Sequence, residues 1–415
     1  MTESLALSKP AAPGRLMPRL GVMFALETAS IAAYAPLLSH HLQRGVGLGP
    51  YEISLVYATG PVAALLAPLA IGFLADRLLP AQRLLAVLSL VRALAFVGAA
   101  RADAFVPLLV AMAVVGFCAT PCFVLTSSIS LHHLPDTRRR FGRARVWGAV
   151  SWISVLWLVS AHLERVGGGQ TAHLSFGFEL AAALSAMLGV YALSLPHTPP
   201  AKFGRGALEA VGALGMLKQR DFLAIFGVYV ACGALFQVNV ILQGLFFTSS
   251  TGLGLEPSVA NRASSVSQLL ELILFPTLGA LLARFGLKTV VMVGVLAWPL
   301  RFAVYLLGHP TELVVFTQVL HGMNVVLGYF AFQIAVDELA PTDRRASTQA
   351  LLATGGAGIG ALAGQLGTGA LLARYTGPEG PRWPSIFAFP LALGAFAVCL
   401  LAFGYRPGGA RPREG

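Results

Sequence analysis

Phe222-Leu-Ala-Ile-Phe-Gly-Val-Tyr-Val-Ala-Cys-Gly-Ala-Leu-Phe-Gln237-Val-Asn239-Val-Ile-Leu-Gln243-Gly-Leu-Phe-Phe-Thr248 runs for 27 residues without an Asp, Glu, Lys or Arg. As a helix it is about 40 Å long, enough to cross the roughly 30 Å hydrocarbon core of a bilayer. A span in lipid must satisfy its own backbone hydrogen bonds, which makes a helix the expected form. The run is too long and too evenly apolar for the alternating strands of a membrane barrel.

Comparable stretches recur along the chain, at 17–39, 52–74, 83–100, 105–130, 146–161, 174–195, 258–282, 289–307, 312–335, 346–373 and 384–404. With 222–248 they make twelve expected spans. Composition agrees: 56% of residues are hydrophobic and 11% charged, with a mean hydropathy of +0.74. A water-soluble chain of 415 residues has no polar cover for that much apolar surface. The fold class expected is therefore an all-α polytopic membrane protein.

The formal charge of +11 invites a nucleic-acid partner, but its distribution argues for topology instead. Alternate connections and both tails hold 21 of the basic residues, including Arg77, Arg138, Arg139, Arg140, Arg145, Arg284 and Lys288. The other side holds six: Arg44, Arg101, Arg165, Arg262, Arg374 and Arg382. Positive-inside asymmetry places both termini in the cytoplasm. The first apolar run lacks a small-residue cleavage site and is expected to remain as a span. Cys118, Cys122, Cys232 and Cys399 all fall inside spans, as packing residues rather than metal ligands or disulfides.

Three domains are expected: a six-helix bundle over 1–195, a cytoplasmic linker over 196–220 and a second six-helix bundle over 221–415. Within the linker, Ala207–Leu217 has the pattern of a short surface helix. Gly72-Phe-Leu-Ala-Asp76-Arg77 follows the second span and Gly279-Ala-Leu-Leu-Ala283-Arg284 the eighth, 207 residues later; Arg92 and Arg301 stand 209 apart. Parallel repeats of this kind build transporters whose substrate sits between the halves near mid-membrane. Gly358-Ile-Gly360-Ala-Leu-Ala363 is no dinucleotide loop, because it follows no strand. Gly356, Gly360 and Gly364 instead put small residues on one helix face for close packing. No Walker A or HExxH sequence occurs, so no cofactor, neither ATP nor a metal, is expected.

Ionisable residues in mid-span each cost about 2.5–3.5 kcal/mol at a helix centre on insertion scales, so each needs a partner or a polar cavity. They are Glu27, Arg92, Glu271, Arg301 and His321. In the eighth span Ser264, Gln268 and Glu271 are spaced i, i+4, i+7 and form one polar stripe. Glu271 is the first candidate for proton coupling, with Arg301, Glu27 and His321 as further candidates.

Several blocks resemble the nucleoside:proton symporter family of the major facilitator superfamily. They include Ser267-Gln268-Leu-Leu-Glu271, Ala283-Arg284-Phe-Gly286-Leu-Lys288 and Ala297-Trp298-Pro-Leu-Arg301-Phe302. Others are Phe141-Gly-Arg-Ala-Arg145-Val-Trp147-Gly148-Ala-Val-Ser-Trp152 and Tyr57-Ala-Thr59-Gly. The resemblance implies the major facilitator fold and a proton-coupled uptake carrier for nucleosides, with a small-molecule substrate, membrane lipid around it and a functional monomer. It also implies a cavity that draws on Arg145, Gln237, Gln268 and Glu271, with Asn239 nearby and Trp152 or Phe236 to stack on a base. Asp76, Arg77 and Arg284 are implied gate residues. The chain departs from the family pattern at Val325-Val326, Ala149 and Val240, and carries Glu27 where Gln is usual. A sugar or organic-acid proton symporter is the competing reading, since His321 beside Arg301 is similar to sugar:proton symporters; an efflux carrier is another.

Overall fold

Long apolar runs bounded by Gly, Pro and charge become helices that have no reason to stop inside lipid. The computed structural model describes residues 13–77, 79–134, 137–167, 175–199, 213–340 and 345–405, with the side chains at 13–15, 67–77, 137–140, 337–339 and 345–346 excepted. Ten helices among the described residues are long and apolar enough to cross a membrane. They are α1 (Leu16–Gly45), α3 (Ala81–Ala100), α4 (Phe105–His133), α5 (Phe141–Arg165), α7 (Arg220–Thr248), α8 (Pro257–Phe285), α9 (Leu287–Leu307), α10 (Thr311–Val336), α11 (Ser347–Tyr375) and α12 (Trp383–Gly404). The helix α2 (Pro50–Arg77) and the shorter apolar α6 (Phe176–Ala192) complete the expected set of twelve.

Both tails, most of the expected linker and most of its surface helix Ala207–Leu217 lie outside the described residues. Of that segment, Leu214–Lys218 forms a short 3-10 turn. The fifth span is longer than expected. The helix itself starts at Thr137, four residues before the apolar stretch given above, and takes in the basic run Arg138-Arg139-Arg140.

The buried residues show how the helices assemble. At the end where α1 begins and α12 finishes, two separate clusters form. One gathers Phe24 of α1, Leu85 of α3, Ile129 of α4 and Leu188 of α6. The other gathers Phe222 of α7, Val291 of α9, Phe332 of α10 and Leu401 of α12. At the far end a single cluster joins both sets, from Leu38 of α1 and Leu156 of α5 to Phe246 of α7 and Phe387 of α12. The molecule is thus a wedge, split at the end of the tails and closed at the other.

The α11 glycines explain one tight seam. A Cβ on Gly360 would lie 2.2 Å from the Val230 carbonyl oxygen, and one on Gly364 would lie 2.3 Å from that of Ala234. Only a residue without a side chain lets α7 and α11 approach so closely.

Candidate functional site

The split between the halves is a cavity of about 720 Å³. Its first wall comes from Glu27 and Thr28 of α1, Phe123 of α4, and Arg145 and Trp152 of α5. The facing wall comes from Gln268, Glu271 and Phe275 of α8, Phe330 and Gln333 of α10, and Gln349 of α11. Polar groups sit among aromatic rings, the mixture that small-molecule sites use for orientation and burial.

Arg145 is held by ring faces from both halves, its guanidinium carbon 4.9 Å from the Phe123 centroid and 5.4 Å from that of Phe330. It also attracts Glu271 electrostatically. The contact-distance ion pairs between described side chains lie elsewhere, at Glu27–Arg92 and Glu164–Arg262. The Glu271 carboxyl therefore has an opposite charge in reach but not on it, an arrangement suited to proton exchange.

The polar stripe of α8 divides. Its helix is interrupted by a 3-10 turn over Val266–Gln268, which tightens the winding between Ser264 and Glu271. Ser264 consequently turns to α7 and accepts from Gln243 Nε2 at 2.9 Å, while Gln268 and Glu271 face the cavity.

Of the other residues singled out in the sequence, Arg145, Trp152 and Glu27 line the cavity, whereas Gln237 and Asn239 are not among its lining residues. Gln237 accepts from Gln365 Nε2 at 2.9 Å between α7 and α11. Asn239 is buried and donates to Gln243 at 3.3 Å. Arg301 is fully buried in the second half, donating to Tyr305 Oη at 3.2 Å, to Gln243 Oε1 at 3.1 Å and to Gln318 Oε1. His321 packs its ring 5.5 Å from that of Phe236, which itself stands edge-on to Trp298. Arg284 is exposed at the split end, against Phe285. The side chains of Asp76 and Arg77 lie outside the described residues.

Sequence reasoning passed over Phe123, Phe330 and Gln333. A phenylalanine in an apolar span carries no mark of the face it occupies, and Gln333 stood at the end of its span, where polar residues are ordinary. Gln243 was seen but not as a partner of Arg301. Glu27 and Arg92 were each noted without being paired; two opposite charges buried in one half were the available signal.

At the far end the halves are pinned together. Asn261 Nδ2 of α8 donates to the Leu156 carbonyl oxygen at 2.8 Å and to Ser160 Oγ at 3.1 Å on α5. Trp157 Nε1 donates to Ser265 Oγ at 3.3 Å, and Arg262 pairs with Glu164 at 2.5 Å. His40 Nδ1 of α1 lies 2.9 Å from Thr248 Oγ1 of α7.

Residues 15–409 match the family described as nucleoside H+ symporter. The putative nucleoside transporter YegT of Escherichia coli K12 is 27% identical over 379 residues, covering 87% of each chain. The nucleoside permease NupG of the same organism is 26% identical over 371 residues, covering 85% of this chain and 86% of its own. The crystal structure of nucleoside transporter NupG superposes with a TM-score of 0.81 at 23% identity, over 94% of this chain and 100% of that one. That likeness is one of fold, the two six-helix halves of the major facilitator type.

Proposed function

We propose, since the chain belongs to the nucleoside H+ symporter family, that it carries nucleosides together with protons across the bacterial inner membrane by alternating access. The observation that carries this reading is the cavity: one chamber between the halves that brings Arg145, Gln268 and Glu271 together with Trp152 and Phe330. Amides and a guanidinium supply N–H donors for base carbonyls, aromatic faces supply stacking, and the carboxyl of Glu271 exchanges the proton. Both termini face the cytoplasm in this reading, so the split end opens inward and the pinned end closes the outward route. Substrate arriving from outside requires the far-end contacts to part while the two inner clusters meet. Protons moving down their gradient bias that exchange because they load and leave with the solute.

The test is counterflow of labelled uridine into proteoliposomes, with and without an imposed pH gradient. Counterflow in both conditions, with accumulation only when protons run inward, is expected. Absence of uridine counterflow in folded protein would overturn the reading, and counterflow indifferent to the gradient would remove the proton from it.

A further inference from the structure

Glu27 of α1 and Arg92 of α3 are 2% and 0% exposed, and joined by two hydrogen bonds, Nη1 to Oε1 at 2.9 Å and Nη2 to Oε2 at 2.7 Å. Taking two charges out of water is expensive, and well-packed apolar side chains of the same volume hold two helices together at least as well. Helix packing alone therefore does not account for the pair. Glu27 differs from Arg92 in one respect: it touches the cavity, and Arg92 stands behind it. The wall around it is tightly packed, because a Cβ on the neighbouring Gly148 of α5 would lie 2.7 Å from Thr28 Oγ1 of α1. A carboxylate offers about four acceptor sites, of which a bidentate arginine takes two.

We propose that Glu27, positioned from behind by Arg92, is the acceptor that recognises the sugar hydroxyls of the substrate, a vicinal diol lying against the α1 wall. This rests on the nucleoside reading above and adds to it. Acceptor-only groups select O–H donors, and an acidic side chain takes ribose hydroxyls in the same way in dinucleotide-binding folds. The two carboxyls of the cavity then divide the work. Glu27, locked to an arginine, binds hydroxyls; Glu271, with Arg145 near but not on it, carries the proton. Arg145 and Gln268 remain to meet the base.

The experiment measures KM and kcat for uridine and for 2′,3′-dideoxyuridine in proteoliposomes, using the unaltered protein, Glu27→Gln and the charge-free pair Glu27→Leu/Arg92→Met. In the unaltered protein the dideoxy compound is expected to have a KM at least about tenfold higher, the scale of one hydrogen bond to a charged group. In Glu27→Leu/Arg92→Met the two KM values converge, because that for uridine rises toward that for the dideoxy compound. A purely structural pair would lower uptake of both compounds alike and leave their ratio unchanged, and that result overturns the proposal. So does an unaltered protein that does not distinguish the two compounds, whatever the variants do. Absence of uridine transport by the unaltered protein would instead sink the nucleoside reading itself.

Discussion

Glu271 and Arg301 were both conspicuous as charges in apolar spans, yet they do different things. Glu271 borders the cavity, and replacing it by Gln keeps the shape and removes the exchangeable proton. Glu271→Gln should retain uridine counterflow and lose accumulation driven by a pH gradient, by tenfold or more on the scale of about 1.4 kcal/mol per decade; full accumulation in the variant would dismiss Glu271 as the proton carrier. Arg301 is buried among neutral groups and depends on Gln243, Gln318 and Tyr305 for its hydrogen bonds. Gln318 also donates to Tyr305 Oη, so it braces two members of the network. Gln318→Ala should cost about 1–3 kcal/mol of stability by leaving a buried charge under-bonded, read as a drop in the unfolding temperature in detergent. An unchanged temperature would mean that water or a rearranged side chain replaces the amide. The sequence marked Arg301 as a charge in need of a partner without naming one, because spacing along one helix gives a face but not the neighbour across it; the structure supplies amides on α7 and α10.

At the scale of the helix, hydropathy carried most of the information. Every expected span corresponds to a helix, since lipid leaves a long uncharged segment almost no alternative. What hydropathy could not show is where winding changes. The 3-10 turn at Val266–Gln268 and the π-helical stretches Asn324–Phe330 in α10 and Thr354–Gly360 in α11 alter which residues share a face. That is why the α8 stripe, read with a uniform 3.6-residue period, held only from Gln268 to Glu271. The glycine pattern of α11 was legible because it is steric: small residues at every fourth position need no partner to be recognised. Gly364→Val follows from the same geometry. Its first side-chain carbon would already fall 2.3 Å from the Ala234 carbonyl oxygen, so α7 and α11 must separate. A loss of about 1–3 kcal/mol or more is expected from overpacking, seen as low yield of folded protein and a lowered unfolding temperature. Gly367, with open space around it, is the control: Gly367→Ala should be close to neutral. Equal behaviour of the two would show that the seam yields at little cost.

For the whole molecule the wedge shape makes a statement about free energy. Among the described residues, the halves share a continuous apolar cluster and several polar bonds at the far end, so the balance between inward and outward access depends on what those contacts contribute. Their magnitudes differ. The pair Arg262–Glu164 is 30% and 45% exposed, and exposed pairs contribute about 0–1 kcal/mol. Asn261 is buried and makes two hydrogen bonds across the halves, at 2.8 and 3.1 Å. Removing its amide loses about 1–2 kcal/mol from the closed end, enough to raise the outward-open population by roughly 5–30-fold. The geometrically shorter ion pair should therefore matter less than the buried amide. Spin labels at positions 44 and 250, on the far ends of the first and second halves, report that opening as a longer distance. Asn261→Ala should enlarge the long-distance population severalfold, and Glu164→Gln should change it less than about fivefold. Uridine KM measured from outside should fall in Asn261→Ala, because the outward site is then occupied more of the time. A larger shift from Glu164→Gln than from Asn261→Ala would place the latch on the ion pair, and no shift from either would leave the apolar cluster, anchored by Phe246 and Phe387, as the element that holds the far end shut.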